Sequence, residues 1–247
     1  MRPEQLQREH YAKTAGSYEE DLGRTPEHEF ALYLLLGLID CIKCESVLDV
    51  GAGTGRGLRF LMNYRPKLRV IGIEPVEELR SIALASGIPR ERLVGASGYA
   101  MPFADESFDV AMEFGVLHHV KNPGAVVDEL LRVARYAVFL SDTNNLGQGS
   151  LLARIIKNGF YWTSLWSLFN FVRTLGRGYV FEPNDGLWYY YTVLSHFRQL
   201  EQRCHSVHVI NTRRSSRTPW FSASHAAILA TKPSIVNRCP FFAHLRS

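Results

Sequence analysis

Asp49–Val50–Gly51–Ala52–Gly53–Thr54–Gly55–Arg56–Gly57 decides the fold of this chain. The apolar stub Ser46-Val47-Leu48 leads into it, and an amphipathic run with Leu58, Phe60, Leu61 and Met62 follows. That pattern predicts a strand, a tight glycine turn and a helix. Glycines at 51, 53 and 55 remove the Cβ atoms that would keep the backbone away from a ligand. The helix aims its unpaired N-terminal N–H groups at the same point. Such a turn suits a nucleotide-like or carboxylate-bearing cofactor.

The glycine spacing excludes two common alternatives. A dinucleotide-binding turn has glycines at its first, third and sixth places; counting from Gly51, the sixth is Arg56. A phosphate-binding P-loop ends in Gly-Lys-Ser/Thr, which is absent here. Further on, Leu68 to Ile73 reads as a second strand ending in Glu74. An acid there can accept hydrogen bonds from both ribose hydroxyls of a nucleoside. Asp49 before the glycines and Glu74 one strand-helix-strand unit later resemble the cofactor motifs of the class I S-adenosylmethionine (SAM) methyltransferases. Ala96 to Asp109 is similar to that family's next segment, with Ser97 where the family carries an acid toward adenine. Val110 to Val120 resembles its fourth strand and the Val-Leu-His-His exit of small-molecule methyltransferases of type 11.

The resemblance covers about residues 11 to 142. It implies a Rossmann-like α/β fold: a seven-stranded sheet in the order 3-2-1-4-5-7-6, last strand antiparallel, helices on both faces. Strands are expected at 46–50, 69–74, 92–96, 108–113, 136–141, 206–211 and 225–231, with helices from Glu27 to Cys44 and from Val76 to Ser86. SAM is the implied cofactor. Its implied contacts are Tyr11, Asp49, Gly51, Ala52, Gly53, Gly55, Glu74, Pro75, Ser97, Gly98, Tyr99, Glu113 and Phe114. Tyr11 and Tyr18 resemble the N-terminal helix that lies over the cofactor in such enzymes, although an ordinary amphipathic helix also places tyrosines seven apart on one face.

The 247 residues suit one domain over 1–247, with N-terminal helices in 1–44 and an inserted, aromatic helical cap in 150–191. A content of 46% hydrophobic and 21% charged residues fills a sizeable core and excludes a disordered chain. The formal charge of +4 is too mild for a nucleic-acid-binding protein. The basic run Arg213 to Arg217 reads as a solvated loop, with contact to an anionic surface as the minority reading. The polar start carries no secretory signal, so a reduced cytoplasmic protein is expected. Cys41 and Cys44 lack a second matched pair and are expected partly buried and unbonded.

Asp142 to Gly149 forms a polar loop at the carboxyl end of the fifth strand, where open α/β sheets bind ligands. Phe160 to Tyr191 then holds four phenylalanines, three tryptophans and five tyrosines. Arg154, Lys157 and Arg173 interrupt the apolar run around them, so it does not read as a membrane span. Three readings stay open: a cap packed as core, an apolar acceptor pocket, or a helix lying on a membrane surface.

His118 and His119 are the candidate catalytic bases, since imidazole titrates near neutral pH; the alternative is that both are structural. No metal site is expected, because no further histidine or carboxylate stands at ligand spacing. The function expected is methyl transfer to an oxygen or nitrogen of a small molecule, such as a lipid, glycoside or natural-product intermediate. The acceptor is expected to have an apolar part, and peripheral membrane contact is one expected partner interaction. The alternative is a non-catalytic SAM-fold binding or assembly subunit that uses the aromatic face.

Overall fold

The structure, a computed structural model, describes residues 3–17, 25–183, 185–213 and 219–245. Tyr18 and residues 214–217 of the basic run lie outside the described residues. Seven strands form the main sheet: β1 (Ser46–Val50), β2 (Arg69–Ile73), β3 (Leu93–Val94), β4 (Phe108–Phe114), β5 (Ala134–Thr143), β8 (Ser206–Asn211) and β9 (His225–Thr231). Their order is β3-β2-β1-β4-β5-β9-β8, which is 3-2-1-4-5-7-6 when only these seven are counted. The first five are parallel; β9 runs antiparallel to both β5 and β8.

Central strand β1 is buried at all five positions, as a parallel strand covered on both faces must be. One apolar layer joins Val50, Phe108 and Leu117 to Val126, Leu130 and Leu131 of helix α5 (Pro123–Val133). The opposite layer joins Leu35 and Ile39 of helix α2 (Pro26–Cys41) to Leu58 and Leu61 of helix α3 (Arg56–Tyr64). Helix α2 stops short of the expected Cys44, and helix α4 spans Glu77–Ala85. No loop separates α5 from β5. Helix α1 (Pro3–Thr14) crosses the carboxyl end of the sheet.

The segment after β5 is only partly helical, contrary to the reading of 150–191 as helices throughout. Helix α6 (Leu151–Trp162) and helix α7 (Trp166–Arg173) are followed by a hairpin, β6 (Val180–Glu182) and β7 (Gly186–Trp188). Val180 and Phe181 favour extended backbone. Gly186, at φ +74°, lies so close to Gln7 and His10 that any Cβ would collide with them. The apolar side chains of α6 and α7 are not all buried as core: Leu152, Trp162 and Phe171 are exposed.

Behind the sheet, the chain after β9 forms helix α8 (Ile235–Arg238) and a final turn whose Phe242 is buried. This brings Cys239 within 2.8 Å, Sγ to Sγ, of Cys41, which is exposed rather than partly buried. The hydrogen bond between the two sulfurs, with burial, pushes the Cys41 thiol up to about 11. At neutral pH Cys41 is therefore in the thiol form and reacts slowly. Mild oxidation should cross-link Cys41 to Cys239, lowering the titratable thiols from four to two. Cys239→Ser should abolish that loss; four titratable thiols after prolonged oxidation would show that the two sulfurs do not meet in solution.

Candidate functional site

A cleft opens at the carboxyl ends of β1, β2 and β4. Its floor is the glycine turn, with Gly51 and Gly53 in the wall. Gly51 takes φ +73°, and a Cβ there would run into the Val116 side chain, so only glycine leaves this floor open. Glu74, buried at the end of β2, accepts hydrogen bonds from Gly53 N at 3.0 Å and from Val76 N at 2.9 Å. One carboxylate thus braces the turn and caps the entry to α4. Burial raises its pKa, while the two N–H groups and Arg80 oppose that. Pro75, Ser97, Gly98, Tyr99, Phe114, His119 and Tyr11 complete the expected part of the lining. Ser97 Oγ accepts a hydrogen bond from Tyr99 N, stabilising that turn.

Four of the expected cofactor residues lie behind this surface. Asp49 is buried, and its Oδ2 would lie 2.5 Å from a Cβ at position 57; burial raises its pKa to about 7. Ala52 packs over Gly72, and Gly55 against Ile88. Glu113 is fully buried and accepts from Val116 N at 3.1 Å and Ser141 N at 3.1 Å. These residues shape the cleft from below.

A second cleft adjoins the first and shares Phe114, Gly115 and His119 with it. Its remaining walls are mostly polar: Glu27, His28, Arg56, His118, Asp185 and His225 are among them. Thr143 and Gln148 bring the loop after β5 into this wall, as its position at the strand end predicts. Among the described residues, the aromatic segment contributes Glu182, Asp185 and a single aromatic ring, Trp188.

The two histidines have different roles in the structure. His118 Nδ1 lies 2.7 Å from Asp142 Oδ1, and its Nε2 lies 3.7 Å from Asp185 Oδ2. Burial by itself lowers the His118 pKa, but Asp142 and Asp185 outweigh it and hold the ring up at about 10. For His119, burial and the neighbouring His118 charge win, and its pKa falls below the ordinary value despite Asp185. His119 Nδ1 is 2.7 Å from Leu187 O, a group that only accepts. That nitrogen therefore carries the hydrogen of the neutral ring, and Nε2 keeps a lone pair, 2.9 Å from the Tyr11 hydroxyl and 3.4 Å from Asp185 Oδ1.

Asp185 comes from the β6–β7 hairpin, 66 positions beyond His119, and sequence spacing gave no hint of it. Gln7 of α1 holds it there, accepting a hydrogen bond from Leu187 N and donating to Asp185 O. His118, His119 and Asp185 each offer a ligand atom within 4.8 Å of the others. The expectation that no third metal ligand stands nearby thus rested on linear spacing, which the fold overrides. Arg213 reaches to 3.7 Å from Glu27 Oε1, which gives the described end of the basic run an ion-pair partner.

Comparison with known proteins supports the sequence motifs. Residues 48–140 match the family model described as "Methyltransferase domain". An uncharacterized methyltransferase of Schizosaccharomyces pombe is 32% identical over 138 residues, which are 51% of this chain and 48% of that protein. One from Mycolicibacterium vanbaalenii is 39% identical over 94 residues, 36% of this chain and 35% of that protein. The chain thus spans less than half the length of these curated relatives. Among solved structures, the plantazolicin methyltransferase BpumL in complex with SAH aligns over 93% of this chain and 95% of its own, with TM-score 0.61 and 16% identity. A SAM-dependent methyltransferase from Thermotoga maritima, described as a "possible histamine N-methyltransferase", aligns over 91% and 99%, with TM-score 0.54 and 18% identity. At such identities the structural likeness speaks for the fold alone.

The His118–Asp142 pair gives a direct prediction. In the folded chain the His118 ring should hold its proton up to about pH 10, seen by NMR titration. Its folded pKa lies above the ordinary 6.5, so the stability it contributes is full below that pH and is lost as pH rises through about 10. Asp142→Asn should bring the titration down sharply, because burial is then opposed by Asp185 alone. Titration of His118 below 6.5 in the unsubstituted protein would contradict the ion pair.

Proposed function

We propose that this chain, whose residues 48–140 form a class I SAM-dependent methyltransferase domain, methylates an oxygen or nitrogen of a small molecule seated in the histidine-lined cleft. The observation that carries this reading is the place of His119: it walls both clefts, and it presents a lone pair on Nε2.

SAM is the cofactor of this family, and the first cleft fits it. The floor without side chains at Gly51 and Gly53 admits a ligand close to the backbone. The carboxylate of Glu74 has acceptor capacity left for ribose hydroxyls beyond its two backbone bonds. Ser97, Gly98 and Tyr99 stand where the adenine would lie, and Tyr11, Pro75 and Phe114 enclose the remainder. When bound, SAM supplies a methyl group already activated on a sulfonium.

The chain's own part is alignment, exclusion of water and movement of one proton. Bringing acceptor and cofactor together in two adjoining clefts removes the entropy cost of their encounter. His118 is held protonated and is unsuited to accept a further proton. His119 is neutral, oriented by Leu187 O, and able to take the acceptor's proton at Nε2 when the Tyr11 hydroxyl, which donates to that nitrogen at 2.9 Å, relays it or gives way. The new imidazolium then faces Asp185 Oδ1, a carboxylate whose pKa the two histidines hold well down against burial. The polar walls favour a hydroxyl- or amine-bearing part of the acceptor, and an apolar part would meet Trp188 and Phe114 there.

Calorimetry should show binding of SAM and SAH and none of NAD. Glu74→Ala should weaken SAM by about 1–3 kcal/mol, through loss of a charge-assisted pair of hydrogen bonds and of the brace on Gly53. Tight NAD binding without heat from SAM would overturn the cofactor assignment. His119→Gln should lower turnover about a hundredfold or more, with SAH affinity nearly unchanged. For the unsubstituted chain, the rate should rise with pH through a pKa below 6.5, since the neutral ring is the active form. Retained turnover in His119→Gln would leave alignment as the whole mechanism.

A further inference from the structure

Helices α6 and α7 turn apolar stripes outward. On α6, Leu152, Ile155 and Trp162 are exposed; on and just after α7, Leu168, Phe171 and Leu175 are exposed, Leu175 by 90%. Positions 155 and 162, and 168 and 171, recur at helical spacing, so each stripe lies on one face, and Leu175 follows just past the end of α7. Phe160, Trp166 and Phe169 stack on one another and tie the two helices together. Exposed apolar side chains in such continuity mark a contact surface.

The charges around the stripes identify the occupant. From Ser150 to Phe181 the chain has no Asp or Glu, whereas Arg154, Lys157, Arg173 and Arg177 are basic. The Lys157 ammonium is committed to Asn145 O and Gln148 O. Arg173 and Arg177 are exposed. No described helix is long and apolar enough to cross a membrane. Short amphipathic helices with Trp on the apolar side and basic residues beside it lie in the plane of a bilayer surface. We propose that α6 and α7 form a contact surface for an anionic lipid bilayer. A second copy of this chain is a poorer occupant, because a symmetric contact would set the same basic rim against itself.

The placement has a consequence for the site. Helix α6 starts just after Gln148, and the hairpin following α7 delivers Glu182, Asp185 and Trp188; all four line the polar cleft. A bilayer under the two helices therefore sits beside that cleft, within reach of polar headgroups. The contact itself does not depend on methyl transfer.

The test uses the full chain with phosphatidylcholine vesicles, with and without phosphatidylglycerol. The expected result is co-sedimentation with the anionic vesicles only, weakened by salt, with a blue shift of tryptophan emission that Trp162→Phe reduces. Leu152→Asp combined with Phe171→Asp should weaken vesicle binding about tenfold or more. Melting temperature and SAH affinity should stay unchanged, because both side chains are exposed and remote from the cofactor cleft. Absence of binding to either vesicle, equal binding to both, or undiminished binding of the double variant would overturn the proposal. So would concentration-dependent dimerisation, abolished by the double variant, in a chain that ignores vesicles. Because SAH binding is read separately, failure here is distinguishable from failure of the methyltransferase reading.

Discussion

Asp142 has no exposed surface, and the active end of the molecule is organised around its charge. A buried carboxylate is tolerated only when paired and hydrogen-bonded. Asp142 meets both conditions through the His118 ring, Leu117 N at 2.9 Å, His118 N at 3.3 Å and Thr143 N at 2.5 Å. All but the last come from the turn that leaves β4, so the acid at the end of β5 fixes the exit of its neighbouring strand. Glu113 repeats the stitch in the other direction, from the end of β4 to Ser141 N of β5. Burial and the Asp142 charge push the Glu113 pKa well up, which favours its neutral form and leaves one carboxylate facing one imidazolium. The next residue along that turn, His119, inherits its position from this arrangement.

What the sequence made legible follows the range of the interactions involved. β1, β8 and β9 appear at the expected residues because strand period and turn residues are local signals. The glycine floor and Glu74 were legible for the same reason, since one strand-helix-strand unit contains them. The bond from Glu74 to Gly53 was not, because it depends on how β2 ends beside the turn. Asp142 read as part of a polar loop, although β5 continues to Thr143 and buries it. Asp185 and Gln7 were out of reach altogether. They meet across 178 positions, through a hairpin inside a stretch whose composition reads as helical. Cys41 and Cys239 make the same point at the other end of the sheet, 198 positions apart.

The aromatic segment shows a different limit. Composition measures how apolar a stretch is and leaves open which way it faces. Large rings suggested core, the lining of an acceptor pocket or a helix on a membrane surface, and the first two would bury them. Instead, Trp162 and Phe171 face outward, while the cleft beside them is walled by histidines and carboxylates. The helical period of the outward residues was present in the sequence, but a periodic apolar face looks the same whether protein or lipid covers it.

Helix α1 links the two clefts. Gln7 and Tyr11 line the first, and the same side chains hold Leu187, Asp185 and His119 at the second. The backbone of the hairpin that carries Asp185 is therefore braced by α1. Because α1 also closes over the first cleft, a ligand there favours the docked helix and, through Gln7, the assembled hairpin. Coupling of this kind requires no movement of the sheet. It follows from one helix contributing side chains to both clefts, so that ordering it for one ligand has already met part of the cost of ordering it for the other.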